Sequence, residues 1–163
     1  MVSTPEERSQ SICQESWWKI RESKILHKSP ILHPLARFIT EEAVALMFHL
    51  ALENVYRITC LRYVVHVHGK GVSRFVSYAD FSPILAVNPP TSSDFVFWRK
   101  RWHKKPAQEL WQKFYTIRFK NALSVMELFE WGTIVNMVKS LLSEEILTEL
   151  RELYVEKKNW FDF

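Results

Sequence analysis

Cys60, His66 and His68 are the residues of this chain whose types could hold a metal, one thiolate and two imidazoles. On an extended strand, positions 66 and 68 share a face, which suits two imidazole ligands. A fourth ligand is missing from the neighbourhood, and zinc sites usually show tighter paired spacing, so no metal is expected. His27, His33, His49 and His103 stand alone and read as ordinary surface or core histidines. The acidic pairs Glu41/Glu42 and Glu144/Glu145 are adjacent, so on a helix they point about 100° apart. Their place at helix N-termini, where the dipole favours negative charge, explains them. The chain has no HExxH, GxSxG, GxxxxGKS/T, GxGxxG or CxxC motif. A protein with no catalytic residues, no enzymatic activity and no cofactor is expected.

Binding chemistry is better represented. Arg99, Lys100, Arg101, Lys104 and Lys105 are interleaved with Trp98, Trp102 and His103. Such a cluster offers cations for phosphate and rings for stacking on exposed bases. The competing account is a solvated linker whose tryptophans anchor it to the core. Arg74 adds a cation upstream. Residues 41–105 carry nine Lys/Arg against five Asp/Glu, whereas residues 106–163 carry seven against nine. Positive charge is therefore concentrated before the C-terminal helices, which suits contact with DNA or RNA.

The composition bounds the rest. With 163 residues, 47% hydrophobic, the chain has the length and material for one domain with a real core. Only three glycines leave little room for phosphate-cradling loops, against nucleotide binding of the usual kinds. Two cysteines, Cys13 and Cys60, make no disulfide framework, so a reducing intracellular compartment is expected. MVSTPEERSQ is not the start of a signal peptide, and no apolar run is long enough to span a membrane.

The elements that would position these residues follow from periodicity. Met1–Gln10 is polar and reads as a loose end, and Ser11–Leu26 as a short helix with Ile12, Trp17 and Ile20 on one side. The proline-bearing HKSPILHP is a connector. Thr40 is a good N-cap followed by Glu41 and Glu42. Val44, Met47, Phe48, Ala51, Val55 and Ile58 then recur at steps of three and four, predicting a helix to about Cys60. Beyond it two readings stand side by side. The helix continues to His68, or RYVVHVH-GKG-VSRFVSYA forms a β-hairpin over 62–79. Phe81–Val87 and Phe95–Trp98 would then add strands, making a small antiparallel sheet over 62–98.

NPPTSSD opens a basic linker, residues 88–105. Pro106 suits the first position of a helix that buries Leu110, Trp111, Phe114, Ile117 and Phe119. Leu123–Leu142 reads as a helix with Val125, Met126, Phe129, Ile134, Val138 and Leu141 inward. Ser143 caps the last helix, whose stripe is Ile146, Leu147, Leu150, Leu153 and Tyr154.

Two stretches resemble known families. Glu41-Glu42, Leu52-Glu53-Asn54-Val55-Tyr56-Arg57 and Ser77-Tyr78-Ala79-Asp80-Phe81 with Ile84-Leu85 resemble the central helix, second loop and third-helix start of a histone fold. Ser77 and Asp80 match the Ser/Thr-x-x-Asp cap of that third helix. The resemblance implies a handshake heterodimer, a nuclear setting, and a partner packed on Phe48, Leu52, Val55 and Ile58. Glu127-Leu128-Phe129 and Trp131-Gly132-Thr133-Ile134-Val135 are similar to the BH1 region of Bcl-2-type regulators, with Trp160 in the place of a later BH2 tryptophan.

The expected fold is mainly α, one helical domain over 1–163 with a β-hairpin at 62–79, or else α+β with a sheet over 62–98. The expected function is a non-catalytic, tryptophan-rich interaction subunit. It would pair with another protein chain and touch nucleic acid through Arg74, Trp98, Arg99, Lys100, Arg101, Trp102, Lys104 and Lys105. The alternatives are an orphan enzyme, a pathogen or viral effector, or a Bcl-2-like regulator.

Overall fold

The computed structural model describes residues 23–162, so Cys13, Trp17 and the body of the expected Ser11–Leu26 helix lie outside the described residues. Within them the chain is mainly helical with a small mixed sheet, in the order 1-2-3-4. The strands are β1 (Ile25–His27), β2 (Val55–Cys60), β3 (Val65–Gly69) and β4 (Val72–Val76). The helices are α1 (Glu41–Phe48), α2 (Ser92–Trp102), α3 (Glu109–Asn121), α4 (Val125–Met137) and α5 (Glu144–Phe161).

β1 runs parallel to β2, with α1 in the connection between them, as a parallel pair requires. The hairpin over 62–79 is formed by β3 and β4. Gly71 takes φ +70° in the two-residue turn. Gly69 faces the Asn54 carbonyl so closely that a Cβ would stand 2.7 Å from it.

The helix expected from Thr40 to Cys60 stops at Phe48. Its start is as expected, since Thr40 Oγ1 accepts from the Ala43 amide at 3.1 Å. His49 then enters the left-handed region at φ 55°, and its N–H returns to the Ala45 and Leu46 carbonyls. Val55 and Ile58, three residues apart, are both buried because β2 bulges between Val55 and Arg57. One extra residue in a strand turns a two-residue alternation into a three-residue step, which mimics a helical face. No long central helix is present for a histone-type handshake over these residues. The strands expected at 81–87 and 95–98 do not form either: 81–87 is irregular and 95–98 lies in α2.

Residues 78–83 form the spine of the molecule. Ser77 and Asp80 make the expected capping box, on a single 3₁₀ turn, Tyr78–Asp80, rather than on a longer helix. The carbonyls that this irregular segment leaves free are taken up by aromatic side chains. Trp102 Nε1 donates to Ala79 at 3.2 Å, Trp111 Nε1 to Asp80 at 2.9 Å, Trp98 Nε1 to Phe81 at 3.3 Å and Tyr115 Oη to Pro83 at 2.9 Å. α3 lies at the centre of the helical half, against α1, α4 and α5. Among the described residues no helix is long and apolar enough to cross a membrane.

Candidate interaction surfaces

Of the basic stretch expected as part of a linker, residues 99–102 belong to α2 and 103–105 follow it as irregular chain. Thr91 caps α2, closing a capping box with Asp94, and α2 carries most of the cluster. Trp98 and Trp102 point inward, are nearly fully buried and use their N–H groups on the spine, so they offer no ring to a base. Arg101 Nε donates to the Asp80 carboxylate at 2.9 Å. Arg99, Lys100, Lys104 and Lys105 are exposed; Arg99 lies over the Phe95 ring at 5.3 Å, and His103 is the exposed ring within the cluster. Arg74 is exposed on the edge strand β4.

The expected partner face is likewise divided. Val55 and Ile58 have no exposure and belong to the core of the sheet, Phe48 is half-buried on that core, and Leu52 alone is open. Cys60 faces the core, in register with Val65, while His66 and His68 face the other side of the sheet. Among the described residues no three His, Cys, Asp or Glu side chains come together to hold a metal ion.

The charged contacts with shifted titration are structural. Arg37 grips Asp94 with two nitrogens, at 2.5 and 3.2 Å, and also donates to the Asn88 and Pro89 carbonyls. Burial alone would raise the Asp94 carboxyl, but hydrogen bonds from Arg37 and Thr91 outweigh it and hold it below the usual range. His33 stacks on Tyr78 at 4.2 Å and accepts from the Leu35 amide through Nδ1. Burial lowers its pKa, with Asp94 opposing. Burial, then the neighbouring Cys60, pushes Tyr78 up to about 12, and its hydroxyl donates to the Leu61 carbonyl.

A groove between α4 and α5 has a different character. Of the residues the sequence places inward, Ile134, Val138 and Leu141 are buried, but Val125, Met126 and Phe129 in the first turns of α4 are not. Leu128, Trp131, Ile134 and Val135 take the core, leaving Met126 66% and Phe129 59% exposed. α4 thus carries apolar side chains on two faces, and among the described residues only one of them is packed into the core. Gly132 lets the helices close, since a Cβ there would meet the Tyr154 ring at 2.6 Å. The groove encloses about 580 Å³ between Phe119, Phe129, Leu147, Tyr154 and Val155. Its charged lining residues are Lys139 and Arg151, both cations. The signal for this face was present in the sequence as an apolar excess in α4, more than one stripe can bury.

Comparison with protein-family models, with curated proteins and with solved structures returns no match to this chain.

Proposed function

We propose that this chain is a non-catalytic interaction subunit that works through a partner protein, held at the groove between α4 and α5. The partner element that fits is an amphipathic helix with an acidic residue near one end. The observation that carries this reading is the pairing of an open apolar trough with two cations and no carboxylate in its lining. Apolar side chains displaced into such a trough leave water, and a carboxylate gains Lys139 or Arg151. The stretch similar to BH1, Glu127–Val135, supplies the α4 wall, which supports the same placement. Titratable groups that could share a proton with a substrate do not converge there, which favours binding over chemistry.

Synthetic amphipathic peptides of about four helical turns test this, one set flanked by glutamate and a matched set flanked by lysine. The acidic set is expected to bind and to shift the NMR signals of Phe129, Gly132 and Tyr154. Val155→Asp is expected to abolish those shifts without loss of fold. Shifts scattered over the surface, equal response to both sets, or no response at all would overturn the reading.

A further inference from the structure

The outer face of the sheet, on the side away from the core, has an apolar and cationic character of its own. Register places Leu26, Thr59, His66 and Phe75 in one row across the four strands, and Arg57, His68 and Ser73 in the next. The outer face of a small sheet normally carries polar side chains. Here Phe75 is 65% exposed and tilts on His66 at 4.8 Å, and Tyr56 is 49% exposed and meets His68 edge-on at 5.4 Å. His66 Nε2 is held at 3.0 Å from Ser73 Oγ, which fixes the ring that supports Phe75. Between these rows lies a concavity of about 400 Å³, bordered by Lys28, Arg57, Leu61, His66 and Phe75.

Among the described residues, the charges lining this concavity have one sign. Lys28 and Arg57 line it, and Arg62 and Lys70 stand in the adjoining turns. No Asp or Glu occurs between Glu53 and Asp80. Arg62 lies over the Tyr63 ring at 5.1 Å, and Tyr63 is 75% exposed at the β2–β3 turn. Rings set on a strand platform beside cations, with no carboxylate in the described lining, match a ligand with flat apolar faces joined by anions. Paired bases in a duplex hide those faces, whereas single strands present them.

We propose that this face binds single-stranded nucleic acid, with bases stacked on Phe75 and Tyr56 and phosphates on Lys28, Arg57 and Arg62. The site lies on the opposite kind of surface from the α4–α5 groove and does not depend on it. It also differs from the 99–105 cluster, where the tryptophan rings are turned into the core.

Fluorescence anisotropy with labelled oligo-dT and oligo-rU of about twelve nucleotides, beside a duplex of equal length, tests the proposal. The single strands are expected to bind, more weakly as salt rises, and the duplex to bind less. Phe75→Ala is expected to weaken binding about ten-fold, and Phe75→Trp to preserve it. Arg57→Gln is expected to reduce the slope of log affinity against log salt by about 0.7. Phe75 stands in solvent, so these variants keep the fold, which circular dichroism checks. Three results overturn the proposal: no binding at ~50 mM salt, equal binding of the duplex, or loss of binding in Arg99→Gln/Lys100→Gln while Phe75→Ala binds normally.

Discussion

Arg37 shows how much one side chain can organise in a chain with three glycines and seven prolines. Its guanidinium ties the 34–38 turn to the 88–94 segment, and its partner Asp94 is 1% exposed. Removing one member of such a pair leaves the other buried and uncompensated, so Arg37→Ala is expected to cost about 3 kcal/mol in urea denaturation. The same cluster sets the response to acid. Asp94 has a folded pKa below its unfolded value, so its stabilisation is complete above about pH 4 and vanishes as pH falls through the lower folded pKa. His33 is also lowered on folding, so its contribution is complete above about pH 6.5 and is lost as pH falls through its folded pKa. Protonation would also cost Nδ1 its role as acceptor for the Leu35 amide. Stability should therefore decline in two steps on acidification, and His33→Gln should erase the upper one. An unchanged profile in that variant would contradict the assignment.

Among the elements, β2 is where local pattern and final structure part. Val44, Met47, Phe48, Val55 and Ile58 have helical spacing, yet β-branched Val55, Ile58 and Thr59 favour a pleated surface, and the bulge reconciles the two. The consequence is a sharp difference between two residues that a long helix would place on one interface. Ile58→Ala should lose about 3 kcal/mol, as a fully enclosed core side chain does, while Leu52→Ala should change stability by less than about 0.5 kcal/mol. Thermal or urea unfolding of the two variants checks this, and equal losses would restore the helix. The α4 register illustrates the opposite case. The helix was predictable from its apolar content, but which of two apolar faces turns inward depends on whether Trp131 or Phe129 fits against Phe114 and Tyr115.

At the scale of the molecule, the tryptophans hold two unlike halves together. Trp98, Trp102 and Trp111 reach from α2 and α3 to the 79–81 carbonyls that follow the sheet, so sheet and helices share one buried cluster. That arrangement turns one sheet face and one helical groove outward from a shared core. Substitutions at the two surfaces should accordingly act separately. Phe75→Ala should alter nucleic-acid binding and spare the response to acidic peptide, and Val155→Asp should do the reverse. Both should leave Tm within a few degrees of the parent, since exposed side chains contribute little to stability. Loss of both responses in either variant would mean that the two surfaces are coupled.

Helix caps were determined by the sequence alone, because each depends on residues within a few positions of one another. Thr40, Ser77 and Ser143 stand where their side chains place them, whereas at 62–79 the sequence allowed a helix or a hairpin and the sheet pairing decided for the hairpin. The stripe of α5, like the caps, was readable from nearby residues. What only the tertiary structure decided involves partners distant in the chain. Trp98 and Trp102 had the composition of a stacking surface, but the carbonyls of 79–81 needed donors and drew them inward. Val55 and Ile58 had the spacing of an interface, but pairing with β3 made them core. The exposed ring of Phe75 came to border one concavity with Arg57 and His66 only when strand register aligned residues far apart in sequence. Local rules assign conformation, whereas burial is a competition among all apolar and polar groups for the same interior.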